Sequence, residues 1–116
     1  MKDMNIETIK SVYFIGAGGI GMSALIRYFL SKGKKVAGYD RTSSELTERL
    51  ITEGAQIHYE EDINLIPEEC KDKASTLVVY TPAVPQEHAE LTYFRANGFD
   101  IHKRSQVLGI ITRSSK

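Results

Sequence analysis

The chain reads as an α/β domain, with a five-stranded, mainly parallel sheet and helices on both faces. Three observations predict this. Short β-prone apolar runs alternate with stretches whose apolar residues recur at helical spacing. The first such run passes straight into a glycine-rich turn and then a helix. The length of 116 residues suits one core and one domain.

Taken in order, Val12 to Ile15 is a buried parallel strand, and Met22, Leu25, Ile26, Phe29 and Leu30 mark the apolar face of the helix behind it. Gly33 stops that helix, and Lys35 to Asp40 makes a second strand through Val36, Ala37 and Tyr39. Thr42 and Glu45 have capping-box spacing, opening a helix through Leu46, Leu50 and Ile51 that ends near Gly54. Ala55 to Tyr59 is the third strand. The polar stretch Glu60 to Ser75, interrupted by Pro67, reads as loop with one short helix around Ile63 to Cys70. Leu77 to Tyr80 is the fourth strand, and Pro82 and Pro85 force an extended exit from it. A helix from about Glu87 to Asn97, stopped by Gly98, leads to a fifth strand at Asp100 to Lys103 and a last helix from Ser105. The order of elements is that of a Rossmann-like three-layer domain, in which ligands bind at the carboxyl ends of the strands, where the strand order reverses.

The run Gly16-Ala17-Gly18-Gly19-Ile20-Gly21-Met22-Ser23 follows the first strand directly. Gly16 permits a sharp turn, Gly18 a close approach of backbone to phosphate, and Gly21 tight packing of helix on strand. An anion then sits at the helix N-terminus, where free N–H groups and the helix dipole favour it, so a diphosphate is the expected guest. The competing reading is a glycine turn that serves packing alone. Three other strand ends converge on the same edge. Asp40 stands near the offset of an acid that takes ribose hydroxyls, which fits NAD or any other ribonucleotide. Arg41 beside it, the exit Thr81-Pro82-Ala83, and Arg104 complete the candidate pocket. A solvated turn or surface charge explains each of these four places as well.

Composition excludes other classes. The formal net charge is zero and 26% of residues are charged, which gives no electrostatic reason to expect nucleic acid or an anionic membrane as a partner. Cys70 is the only cysteine, so no internal disulfide forms and a reducing, cytoplasmic location is expected. No apolar stretch reaches membrane-span length, and residues 1 to 10 lack the apolar core of a signal peptide. His58, His88 and His102 share no metal-ligand spacing and read as half-exposed residues, so no metal site is expected. Glu45, Glu48, Glu60, Glu61 and Asp62 read as solvated faces, and no Walker A sequence is present. The residues support binding, with no catalytic residue assigned.

The segments FIGAGGIGMSAL, VAGYD, ELTERLITEGAQI, VVYTPAVP and KRSQVLG resemble the N-terminal domain of Mur ligases, in particular the UDP-N-acetylmuramate:L-alanine ligase branch, over about Ser11 to Ile111. The resemblance implies that the domain binds the UDP part of UDP-N-acetylmuramate. The backbone of Gly18 to Ser23 would take the diphosphate, Asp40 would lie by the uridine, and Thr81 to Ala83 with Arg104 would line the approach to the sugar. It also implies a fragment. Residues 1 to 116 would be a single N-terminal domain, inactive alone, with the central ATP-binding domain and the C-terminal domain as missing partners of the same chain. ATP and magnesium are implied for that whole enzyme and no cofactor for this piece. Two residues depart from the family pattern: Gln106 stands where many members have glutamate, and Tyr39 where a small residue commonly precedes the aspartate. The alternatives are an NAD-binding regulatory module, the related ligase that reattaches a recycled tripeptide to UDP-N-acetylmuramate, and an α/β scaffold that binds nothing.

Overall fold

A computed structural model describes residues 6–19 and 21–114. The strands are β1 (Ser11–Ile15), β2 (Lys35–Tyr39), β3 (Gln56–His58), β4 (Thr76–Tyr80) and β5 (Asp100–Lys103). The helices are α1 (Met22–Ser31), α2 (Glu45–Glu53), α3 (Ala89–Ala96) and α4 (Arg104–Ser114). They form one sheet in the order β3-β2-β1-β4-β5, with all four pairings parallel.

β1 lies at the centre and all five of its residues are buried. Its side chains alternate between two cores. Val12 and Phe14 face a cluster with Leu25, Ile26 and Phe29 of α1, Leu50 of α2 and Val107 of α4. Tyr13 and Ile15 face Leu91 and Phe94 of α3, with Phe99, Ile66 and Cys70. Helices therefore cover both faces. Each buried Phe or Leu is worth roughly 1.5–3 kcal/mol, against about 0.5–1.5 kcal/mol net for a ladder hydrogen bond, so the apolar pattern decides which face each helix takes. The order reverses between β1 and β4, and the carboxyl ends of these two strands mark the switch point.

Several local expectations need correction. α2 is capped by Ser44, whose hydroxyl accepts from Thr47 N–H at 3.2 Å while Thr47 Oγ1 accepts from Ser44 N–H at 2.9 Å. Thr42 and Glu45 do not form the box, because Asp40 Oδ2 takes the Thr42 N–H at 3.1 Å and keeps Thr42 in the preceding turn. α3 starts at Ala89, two residues later than predicted, because His88 Nδ1 accepts from Glu90 N–H and caps it. The Glu60 to Ser75 stretch holds two single 3₁₀ turns, Ile63–Leu65 and Glu68–Cys70, in place of one helix. Pro67, in extended backbone between them, cannot continue a helix. A further 3₁₀ turn at Ile6–Thr8 precedes β1. No helix among the described residues is long and apolar enough to cross a membrane.

The cap assignment is testable by chemical denaturation. Ser44→Ala is expected to lower stability by about 1 kcal/mol, whereas Thr42→Ala stays within roughly 0.5 kcal/mol of the parent chain.

Candidate functional site

The chain leaves β1 through a turn held on two sides. Gly16 N–H and Ala17 N–H both donate to Tyr39 O, at 2.7 and 2.8 Å, tying the turn to the end of β2. Gly16 has φ +94°, and a side chain there would collide with Thr81 Cγ2. The loop after β4 thus sits on the turn after β1. At the far end Gly21, with φ +80°, forms the N-cap of α1 and offers no side chain to its free amides. A Cβ at Gly21 would lie 2.9 Å from Nη1 and 3.1 Å from Cδ of Arg104. Gly21 is required by its left-handed backbone, and the atoms nearest to a Cβ there belong to Arg104 of α4 rather than to the strand that its motif position suggests.

That contact places a guanidinium against the positive end of α1. Among the described residues Arg104 has no carboxylate within ion-pair distance. A cation and an uncapped helix N-terminus side by side form a field that an anion relieves. The amides of the turn are only partly available. Gly18 N–H donates to Asp40 Oδ1 at 2.9 Å, Gly19 N–H to Gly16 O at 2.9 Å, and Met22 N–H to Gly19 O at 3.1 Å. Gly21 N–H and Ser23 N–H have no acceptor among the described residues. Asp40 is therefore a brace between the turn and Thr42, with both carboxylate oxygens engaged.

Nine of the fourteen sequence-predicted residues line one cleft of about 650 Å³: Gly16, Gly18, Gly19, Asp40, Arg41, Thr81, Pro82, Ala83 and Arg104. It exceeds the groove of about 490 Å³ along β3, which lies away from the turn. Gly21 is exposed beside Arg104, and Ser23 is half-buried in the first turn of α1. Ala17 and Met22 are fully buried in the core. Their side chains hold the turn from behind, so only backbone at these positions could meet a ligand. Ile20 lies outside the described residues. Gln106, the departure from the family pattern, accepts from Lys103 N–H at 2.8 Å and steadies the junction of β5 and α4.

Sequence reasoning missed the polar network beneath this cleft. Glu90 is wholly buried on α3 and accepts from Tyr13 O–H at 2.6 Å and from Asp62 N–H at 3.1 Å. His58 Nε2 lies 2.8 Å from Glu90 Oε2 and 3.2 Å from the Tyr13 hydroxyl, so this nitrogen carries a proton. Burial, and then the Glu90 carboxylate, push Tyr13 far above the usual tyrosine range and keep it a donor. His88 is also buried, 5% exposed, and not half-exposed as its sequence context suggests. Tyr39 and His88 extend the cleft wall beyond the predicted residues, with ring centroids 4.6 Å apart. Cys70 is buried at the same face, where burial raises its thiol to about 12 and leaves it inert. Among the described residues no three His, Cys, Asp or Glu side chains cluster as a metal site would require.

Fold and site together define an α/β domain with a cleft at the switch point, where a glycine turn, the uncapped start of α1 and an arginine without an ion-pair partner among the described residues come close together. The sequence profile described as "Mur ligase family, catalytic domain" matches residues 11–116, and the chain belongs to the Mur ligase family. It is 73% identical over 113 residues to a UDP-N-acetylmuramate–L-alanine ligase of Phocaeicola vulgatus, covering 97% of this chain and 25% of that protein. Identity to the ligase of the same name from Parabacteroides distasonis is 65%, covering 97% of this chain and 24% of the relative. The crystal structure of UDP-N-acetylmuramate–alanine ligase from Thermotoga maritima superposes with a TM-score of 0.78 at 28% identity, over 91% of this chain and 24% of that one. The chain thus spans about a quarter of the length of the relatives it matches.

Gly21→Ala is expected to cost about 1–2 kcal/mol through the left-handed backbone alone, and more through the contact with Arg104. Unfolding in an Arg104→Ala background separates the two. The contact part should vanish there and the backbone part remain.

Proposed function

We propose that this domain anchors the UDP part of UDP-N-acetylmuramate for an ATP-dependent, ADP-forming ligase that adds L-alanine in peptidoglycan synthesis. The cleft carries the reading, because it joins the loops after β1, β2, β4 and β5, and Arg104, with no ion-pair partner among the described residues, links it to the uncapped N-terminus of α1. The relatives bear the name of that ligase, and the cleft offers what a nucleoside diphosphate needs. The diphosphate would sit between Arg104 and the amides of Gly21 and Ser23. Here cation and dipole act together in a partly desolvated site, where each is worth more than in water. Asp40 then acts mainly through the backbone it braces, and Arg41, exposed beside it, is free to approach the uridine. Thr81, Pro82 and Ala83 would line the path from the diphosphate to the sugar.

The whole ligase requires ATP and magnesium to activate the substrate carboxylate, with metal and ATP neutralising charge at the reacting end. The residues of this domain do not fit either group. It has no glycine-lysine phosphate loop and, among the described residues, no cluster of metal-ligating side chains. Its share of the work is positional: substrate held rigidly at one end presents its other end to the rest of the enzyme. The central and C-terminal domains of the whole ligase are its expected partners, in the cytoplasm, where ATP and an unpaired Cys70 both belong.

Parallel calorimetric titrations with UDP-N-acetylmuramate, UDP and NADH test the reading. The expected result is binding of both uridine compounds, NADH at least about tenfold weaker, and loss of about 1.5–3 kcal/mol of uridine affinity in Arg104→Ala. Preference for NADH would replace the reading with a regulatory module, and no binding of any of them would leave a scaffold.

A further inference from the structure

The end of α3 carries a reactive pair that neither the cleft nor the core uses. Asn97 is the C-cap of α3 and Gly98 follows it, both exposed. In an Asn-Gly pair the side-chain amide meets the least hindered of backbone nitrogens, because glycine has no Cβ to shield its N–H from the neighbouring carboxamide. Attack of that nitrogen on the amide carbon closes a five-membered ring, so the pair holds a latent reaction. The other asparagines have bulky neighbours: Asn5 precedes Ile6 and Asn64 precedes Leu65.

The fold holds this reaction in check. At φ −99° and ψ 9° for Asn97, Gly98 N nearly eclipses Asn97 N, whereas ring closure needs it turned to the side of Cβ. The carboxamide is tied down as well, since its Nδ2 donates to Tyr93 O at 2.8 Å, beside the Asn97 N–H at 3.1 Å. Gly98, at φ +76°, donates its N–H to Arg95 O at 3.3 Å, and Phe99 N–H donates to Phe94 O at 3.1 Å. These last two bonds make a glycine-ended helix stop, sealed by the rings of Phe94 and Phe99 with centroids 4.8 Å apart. The Gly98 bond is the longest of the four, and all of them lie at a helix end, where local opening is easiest. Opening this one turn frees both reactants together.

We propose that Asn97-Gly98 is a deamidation site gated by the C-terminal turn of α3. Gly98 N gives up its proton to water and bonds to Asn97 Cγ, the Cγ–Nδ2 bond breaks, and ammonia leaves with a proton taken back from water. Water then opens the imide at either of its carbonyls, giving aspartate or isoaspartate, with nothing oxidised or reduced. Both products remove the side-chain donor from Tyr93 O and put a negative charge where the α3 dipole is already negative. Isoaspartate also lengthens the backbone by one carbon inside the glycine stop. Because α3 carries Glu90 and is capped by His88, the change loosens the element that ties the polar network to β1 and β3. This chemistry is independent of any ligand in the cleft.

The chain is incubated at mildly alkaline pH and physiological temperature, folded and in denaturant, and its peptides are followed by mass spectrometry for the amide-to-acid gain at Asn97. Asn64 is the internal reference and Asn97→Gln the blank. The denatured chain is expected to convert at Asn97 within days and the folded chain about ten- to thirtyfold more slowly, as for the opening of one helix turn, with Asn64 unchanged in both. Asn97→Asp, which carries the product charge from the start, is expected to lower Tm by about 4–8 °C. Equal rates in the folded and denatured chain would overturn the gate, and a folded chain whose Asn97 is still an amide after several months would overturn the site. An Asn97→Asp chain as stable as the parent would show that the carboxamide does not hold the turn, and would overturn the account of the gate as well.

Discussion

The way the chain leaves β1 governs the rest of the carboxyl edge. A buried central strand must turn within a few residues into a helix that packs back on the same sheet, and the turn must at once accept Thr81 from β4 and Arg104 from α4. Side chains at Gly16 or Gly21 would strike those residues, so the glycines make room for protein first. Room for a ligand follows from this. With the loops of β1, β4 and β5 drawn together at the switch point, a cleft opens between them, and Arg104 in its lining stands beside the bare end of α1.

Electrostatics then decide what the cleft is for. Asp40 is the acid of the pocket, yet its two oxygens are occupied by Gly18 N–H and Thr42 N–H, which blunts its repulsion towards an anion. Arg104 has no such partner among the described residues. A neutral chain can therefore carry a locally positive pocket, because one paired acid and one unpaired base stand at opposite ends of the same turn.

Much of this was legible in the sequence. The central strand, the glycine turn, the alternation of elements and most cleft residues are encoded in local patterns, since apolar period and turn chemistry act over a few residues. What escaped is non-local. Tyr13, His58 and Glu90 are up to 77 residues apart and show no shared pattern, and a lone glutamate in a helix gives no sign of being fully buried. The cap of α2 was misplaced for a different reason: Thr42 and Ser44 both carry a hydroxyl, and the local bond from Thr42 N–H to Asp40 Oδ2 keeps Thr42 in the turn and leaves the cap to Ser44. The burial of His88, read as half-exposed, is non-local, because it comes from packing on Tyr39 across the fold.

The central claim is that an anion-bearing nucleotide is held where α1 begins. Backbone amide spectra recorded during titration with UDP-N-acetylmuramate test it most directly. The account predicts the largest shifts at Gly18 to Ser23 and Arg104, with smaller ones at Asp40, Arg41 and Thr81 to Ala83. Shifts gathered instead along the groove of Ile51, Ile57 and Leu65, with the turn after β1 unmoved, would contradict it.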